Sequence, residues 1–226
     1  LSSRREYTKS NPFVVLLGKG EHQITSSWTD PIHGSNYPTT LAFTRNNVTF
    51  VGTGKDTTTV LGGFAIYNHE NIMFKHMTVT NTNTSHYGDG GIKMINAKVE
   101  LEDVALKGCG DAGIRILTVS SETTFVATRC EFANREYGAV VDGAFISATF
   151  NNCVFHDNYN GIHGGGATIY LHGEATAIHS NRSHGILANN FAKVVIHLPS
   201  HHNTSYNNRG EDRHTSRGGT ITNVED

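Results

Sequence analysis

A glycine followed by an apolar residue returns along this chain at a nearly constant interval. It occurs at Gly91-Ile92, Gly113-Ile114, Gly138-Ala139, Gly161-Ile162 and Gly185-Ile186, with Gly210 one interval further on. The spacing is 22 to 25 residues. A period of that length marks a stacked repeat, because one such unit cannot bury its apolar face without a neighbour. Each interval also carries a second set of alternating apolar residues: Val99, Leu101, Val104 and Leu106, then Phe125, Cys130 and Phe132, then Phe150, Cys153 and Phe155, then Ile169, Leu171 and Ile178. Period-two alternation reads as strands with one buried face. A polar turn follows each set, at Asn134, Asp157-Asn158 and Ser180-Asn181. Asn and Asp tolerate the left-handed backbone such turns need, and stacked in register they can hydrogen-bond along the axis.

These features predict an all-β chain: a single right-handed parallel β-helix (solenoid) of roughly eight coils, 22–25 residues per coil. At about 4.8 Å per coil the rod would be on the order of 40 Å long. Ile92, Ile114, Ala139, Ile162 and Ile186 should form one interior column. Cys130 and Cys153 each lie eight residues before a repeat glycine and should be stacked, reduced core thiols. Residues 1–45 read as an N-terminal cap and first coil, 46–210 as the coils, and 211–226 as a polar C-terminal tail or cap, one domain in all.

Composition removes several function classes. The formal net charge is -2 and only 17% of residues are charged, so no basic field exists to hold a nucleic-acid backbone. No stretch approaches the roughly 18 apolar residues of a membrane-spanning helix. Three cysteines at wide spacing make neither a disulfide framework nor a zinc motif. Sequons at Asn47, Asn83, Asn181 and Asn203 favour an extracellular or secretory route.

Alternation also sorts the outward positions. Two residues after each repeat glycine stand Lys93, Arg115, Val140, His163 and Leu187; two residues before it stand Asp89, Asp111, Glu136, Tyr159 and Ser183. Three successive coils therefore carry an acid beside a turn, and two carry a base just across it. Acids one coil apart sit near the carboxylate separation of retaining glycosidases, about 5 to 5.5 Å. Asp89, Asp111 and Glu136 are candidate acid/base residues, with Arg115 a candidate base, and the same three carboxylates can hold Ca²⁺. Lys93 is placed to bind a substrate carboxylate, with Asp142, His163, Tyr137 and Tyr159 extending a substrate-binding patch. The bland alternative is a solvated salt-bridge ladder worth about 0 to 1 kcal/mol per pair. Outward histidines in the last coils, among them His172, His179, His184 and His197, offer a metal site only where they align between coils.

The repeat from about residue 45 to 210 resembles the pectin-lyase-like right-handed β-helix superfamily. Three segments, Phe13 to His22, Val60 to Phe64 and Gly173 to Asn181, look more narrowly like the uncharacterised β-helix repeat group of unicellular marine algae. The superfamily resemblance implies an enzyme acting on acidic or neutral polysaccharide. Its site motifs do not carry over: Asn81-Thr82-Asn83 and Ile114-Arg115-Ile116 are partial echoes of the polygalacturonase set, and the Asp-Pro-His signature of alginate epimerases is missing. The expectation is a carbohydrate-interacting β-helix, a lyase or glycoside hydrolase of an acidic polysaccharide. The alternative is a non-catalytic structural or surface scaffold binding a partner along its flank.

Overall fold

The structure, a computed structural model, describes residues 6–82, 90–134, 136–198 and 204–225. Among these, all regular elements are strands, wound into a right-handed parallel β-solenoid of about seven turns, close to the eight coils expected. One sheet has eight parallel strands, Thr40–Ala42, Gly63–Tyr67, Ile92–Ile95, Ala112–Leu117, Tyr137–Asp142, Asn160–Gly165, Ile186–Asn189 and Arg213–Thr215. It is called the front sheet below. The other two sides of each coil are strand pairs such as Ile146–Asn151 with Val154–His156, joined at a corner. In two coils the corner lies inside one long strand, Ile72–Thr80 and Lys98–Lys107.

Those corners have a common backbone cause. His76, Asp103, Arg129 and Asn152 take positive φ at successive coils, and Gly173 does so in the next. The column is partly a charge ladder: Arg129 donates to both carboxylate oxygens of Asp103, each at 2.8 Å, and to Glu102 at 2.9 Å.

The repeat glycine has a steric explanation. A Cβ on Gly113 would lie 2.5 Å from Asn134 Nδ2 and 2.8 Å from the Gly138 carbonyl, and one on Gly161 would lie 2.6 Å from the Gly185 carbonyl. The glycine column passes so close to the next coil that no side chain fits. The following residues do form the predicted interior column, with Ile92 paired to Ile114, then Ala139, Ile162 and Ile186. All five are 0% exposed.

The predicted asparagine ladder is present. Asn158 donates to Asn181 Oδ1 from its backbone N at 3.1 Å and from Nδ2 at 2.9 Å. Asn134 N donates to Asn158 Oδ1, and Asn181 repeats the pattern onto Asn208. The ladder ends at Asp212, whose Oδ1 accepts from Asn208 Nδ2 at 2.8 Å. Asn181 is 1% exposed, so this sequon cannot carry a glycan; Asn83 and Asn203 lie outside the described residues. Cys130 and Cys153 are free, buried and adjacent, with Val154 N bonded to Cys130 O. Phe132 and Phe155 stack beside them.

The first and last strands of the described residues join the stack. Phe13–Leu16 and Gly20–Gln23 pair in parallel with Val48–Val51 and Thr58–Leu61. Arg213–Thr215 and Thr220–Glu225, within the segment read as a polar tail or cap, add strands to Ile186–Asn189 and Lys193–Leu198.

Candidate functional site

The outward side of the front sheet carries the predicted columns in register. Ala65, Lys93, Arg115, Val140, His163, Leu187 and His214 pair successively from coil to coil. Two residues on, Leu117 pairs with Asp142 and Gly165 with Asn189. Along each strand this is one face, since successive side chains alternate.

Lys93 is not available to a substrate. A short hairpin, Trp28–Thr29 against Asn36–Tyr37, folds over it. Lys93 Nζ donates to Asp30 Oδ2 at 2.8 Å and to the Tyr37 hydroxyl at 2.9 Å. It also lies 4.4 Å from the Tyr37 ring centroid. Asp30 is 0% and Lys93 7% exposed. Burial would push the Asp30 carboxyl up, but hydrogen bonds from Lys93, His33 and the Ile32 amide, with the Lys93 charge, hold it down at about 2. The expected substrate cation is an internal ion pair, because alternation reports direction and not what covers the residue.

The acids are distributed differently from the expected row. Asp111 and Glu136 are on adjacent coils, with Tyr137 N donating to the Asp111 carbonyl at 2.9 Å. Asp111 is 6% exposed, and its Oδ2 accepts from both Nε, at 3.0 Å, and Nη2 of Arg115. Asp111 stands just before the strand Ala112–Leu117 that carries Arg115, so the partner of Asp111 lies within its own coil. Asp89 lies outside the described residues. Among the described residues no group of three or more His, Cys, Asp or Glu side chains could hold a metal ion. The Ca²⁺ arrangement of Asp111 and Glu136 therefore finds no third ligand there, and Arg115 neutralises Asp111.

The residues that do come together are Tyr137, His163, Asp142 and Asn189, with Arg115 on the same face. The Tyr137 and His163 rings stack at 5.7 Å and 28°. Asn189 Nδ2 donates to His163 Nε2 at 3.1 Å. Burial pushes the His163 imidazole down from its usual value and the Arg115 charge adds to this, against the Asn189 hydrogen bond and the Asp142 charge. The ring is therefore neutral near pH 7. Asn189 Oδ1 is buried with no hydrogen-bond partner. Gly165 leaves room beside it: a Cβ there would lie 2.5 Å from Asp142 Oδ1 and 3.4 Å from Asn189 Oδ1. Asn189 was not singled out from the sequence, although it stands two residues after Leu187 and so belongs to the same outward set. Tyr159 is 47% exposed on the column of Asp111 and Glu136.

A second polar cluster lies elsewhere. His156 bridges Glu131 and Asp157 at 2.9 and 2.7 Å and stacks on His179. Burial opposes its charge, but hydrogen bonds to these two carboxylates win and raise its pKa.

This is a parallel β-solenoid with an outward polar face built by stacked coils. Residues 32–182 match the family described as "Right handed beta helix region", and the chain belongs to that family. Two solved structures are similar to it. One is the mannuronan C-5 epimerase AlgE6 A-module of Azotobacter vinelandii: 15% identity, TM-score 0.50, 83% of this chain and 65% of that one. The other is a pectate lyase from Paenibacillus sp. 0602: 10% identity, TM-score 0.54, 81% of this chain and 65% of that one. The chain thus spans just under two thirds of either structure. No curated protein matches it by sequence.

Proposed function

We propose that this protein acts on an acidic polysaccharide at the front-sheet face, as a lyase with His163 as base. The observation that carries this reading is a half-buried imidazole stacked on Tyr137, on the same outward face as the guanidinium of Arg115, its pKa lowered by burial. A base must be unprotonated and within reach of its proton at the working pH. Arg115, bonded through Nε and Nη2 to Asp111, presents its remaining donors to a uronate carboxylate, for which a guanidinium fork is well suited. In a β-elimination His163 takes the proton beside that carboxylate, the bond from the neighbouring carbon to the glycosidic oxygen breaks, and a C=C bond forms. The leaving oxygen takes a proton from water or an acid.

Asn189 completes the base. Its Nδ2 lies 3.1 Å from His163 Nε2, and its Oδ1 has no partner. With the carboxamide turned over, Oδ1 accepts from Nε2–H, and the lone pair on Nδ1 is the one that takes the substrate proton. The epimerase and lyase structures that share the fold support a polysaccharide substrate, with the fold as their common ground.

The test is incubation with pectate, alginate and sulfated algal glycans, with and without Ca²⁺, following unsaturated uronate and new reducing ends together. Unsaturated product lost in His163→Ala, with the fold intact, supports the lyase reading. Reducing ends alone would redirect it to hydrolysis by Glu136 and Asp142. Silence on both counts, or activity that survives His163→Ala, would remove it in favour of a scaffold.

A further inference from the structure

The hairpin over Lys93 has a position that matters to any polymer bound on the front sheet. Outward side chains form a straight column along the axis, one per coil, from Ala65 to His214. At the N-terminal side the column is covered. Ala65 is 1% and Lys93 7% exposed, and Trp28 and Tyr37 stack on one another at 5.4 Å above the ammonium. The hairpin leaves the coil path between Gln23 and Thr40, yet reaches two coils further along to place Asp30 on Lys93. The ion pair, the tyrosine hydroxyl and two cation–π contacts fix it there. The next residue of the column, Arg115, is uncovered enough for its side chain to be 19% exposed. Beyond the hairpin the column is accessible at Arg115 and, past the buried Val140, at His163 and Leu187, so its accessible part starts beside the aromatic hairpin.

We infer that the Trp28–Tyr37 hairpin is the closed end of the binding face, so that an acidic polysaccharide lying along the column must terminate against it and is processed from a chain end. This rests on the polysaccharide reading above. A chain continuing past Arg115 along the column would have to displace a hairpin held by a buried ion pair, and leaving such a buried charge unpaired is costly. A chain end needs no such displacement. The wall also offers the terminal sugar an aromatic surface.

The experiment uses the full chain and alginate and pectate fractions of defined length. Products are sized from the first minutes of reaction, and binding of the same fractions is measured by calorimetry. Action at an end predicts one short product size from the outset, slow loss of mean chain length, and a binding stoichiometry of one protein per polysaccharide chain whatever its length. A second protein replaces residues 28–37 by Asn-Gly, a turn that closes a two-residue hairpin. Ser26 and Thr40 are already hydrogen-bonded across the hairpin base, Thr40 N to Ser26 O at 2.9 Å, so the strands need not move. This protein should yield a broad ladder of products and bind several copies per long chain. A broad ladder from the intact protein, or stoichiometry that rises with chain length, overturns the inference while leaving the polysaccharide reading standing. Neither binding nor turnover with any fraction overturns both.

Discussion

Asn158 Nδ2 donates to Asn181 Oδ1 at 2.9 Å in the interior of the solenoid, and the same side chain also serves the carbonyls of Phe132 and His156. Its own Oδ1 accepts from Asn134 N. Asn158→Ala would strand several buried polar groups at once. Each unsatisfied group costs about 1–3 kcal/mol, although some relaxation is expected. Urea denaturation should show a loss of roughly 2–4 kcal/mol. A loss under about 0.5 kcal/mol, the level of an ordinary surface change, would show that the ladder is not a stabilising network.

Gly161→Ala tests the close passage between coils. The added methyl would meet the Gly185 carbonyl at 2.6 Å and Ile178 Cγ2 at 2.7 Å, both held by packed strands. Overpacking of this kind costs about 1–3 kcal/mol, occasionally more. Gly18→Ala, at a position with open space around the Cβ, should be nearly silent in the same melting series.

Removing Lys93 leaves Asp30 buried without its cation. Lys93→Met should destabilise by about 3–5 kcal/mol, the range for breaking a buried pair from one side. The Asp30 carboxyl is held at about 2, below its usual 3.8. Its contribution is therefore fully present above about pH 4 and is lost as the pH falls through about 2. In Lys93→Met that loss should begin at higher pH, visible in acid-unfolding curves.

His163 and His156 should pull stability in opposite directions with pH. The folded-state pKa of His163 lies below the usual 6.5, so the unfolded chain binds its proton first. Its contribution is present above about 6.5 and fades as the pH falls toward the folded value. His156 is raised, so its contribution is present below 6.5 and is lost as the pH rises through its folded value. Histidine NMR titrations should give the two resonances midpoints on either side of 6.5. Asn189→Asp, which adds a carboxylate at Nε2, should move the His163 midpoint upward and carry the acid limb of any activity profile with it.

The three thiols should be inert in the folded protein. Burial pushes the Cys109 thiol up to about 12 and also raises Cys153, beside Cys130. Iodoacetamide at pH 8 should label none of them natively and all three after denaturation, read by mass. Native labelling of any would show that the coil opens locally.

What the sequence revealed and what it hid follow one division. The glycine period, the isoleucine column, the asparagine ladder and the stacked cysteines are contacts between equivalent positions of successive coils, so period and alternation are enough to find them. The hairpin cover on Lys93 joins residues 63 positions apart that break the period, with strands of two residues each. Nothing periodic announces it. The pairing of Asp111 with Arg115 is the salt-bridge alternative that the acid and base flanking one repeat glycine already offered. Tyr137, His163 and Asp142 were placed on the outward patch. The fourth member, Asn189, became visible only when Gly165 and Asn189 were seen in register.

The glycine and asparagine columns together make each coil an interchangeable module. Glycine faces a carbonyl of the next coil along its column, and asparagine faces asparagine from Asn134 to Asn208. Gain or loss of one full coil leaves both columns continuous, and single-residue differences are absorbed in the bends: Gly113 and Asn134 stand 21 residues apart, Gly138 and Asn158 20, Gly185 and Asn208 23. A lineage carrying this protein can lengthen its outward face by duplication within the gene, one coil at a time, while point insertions settle in the bends.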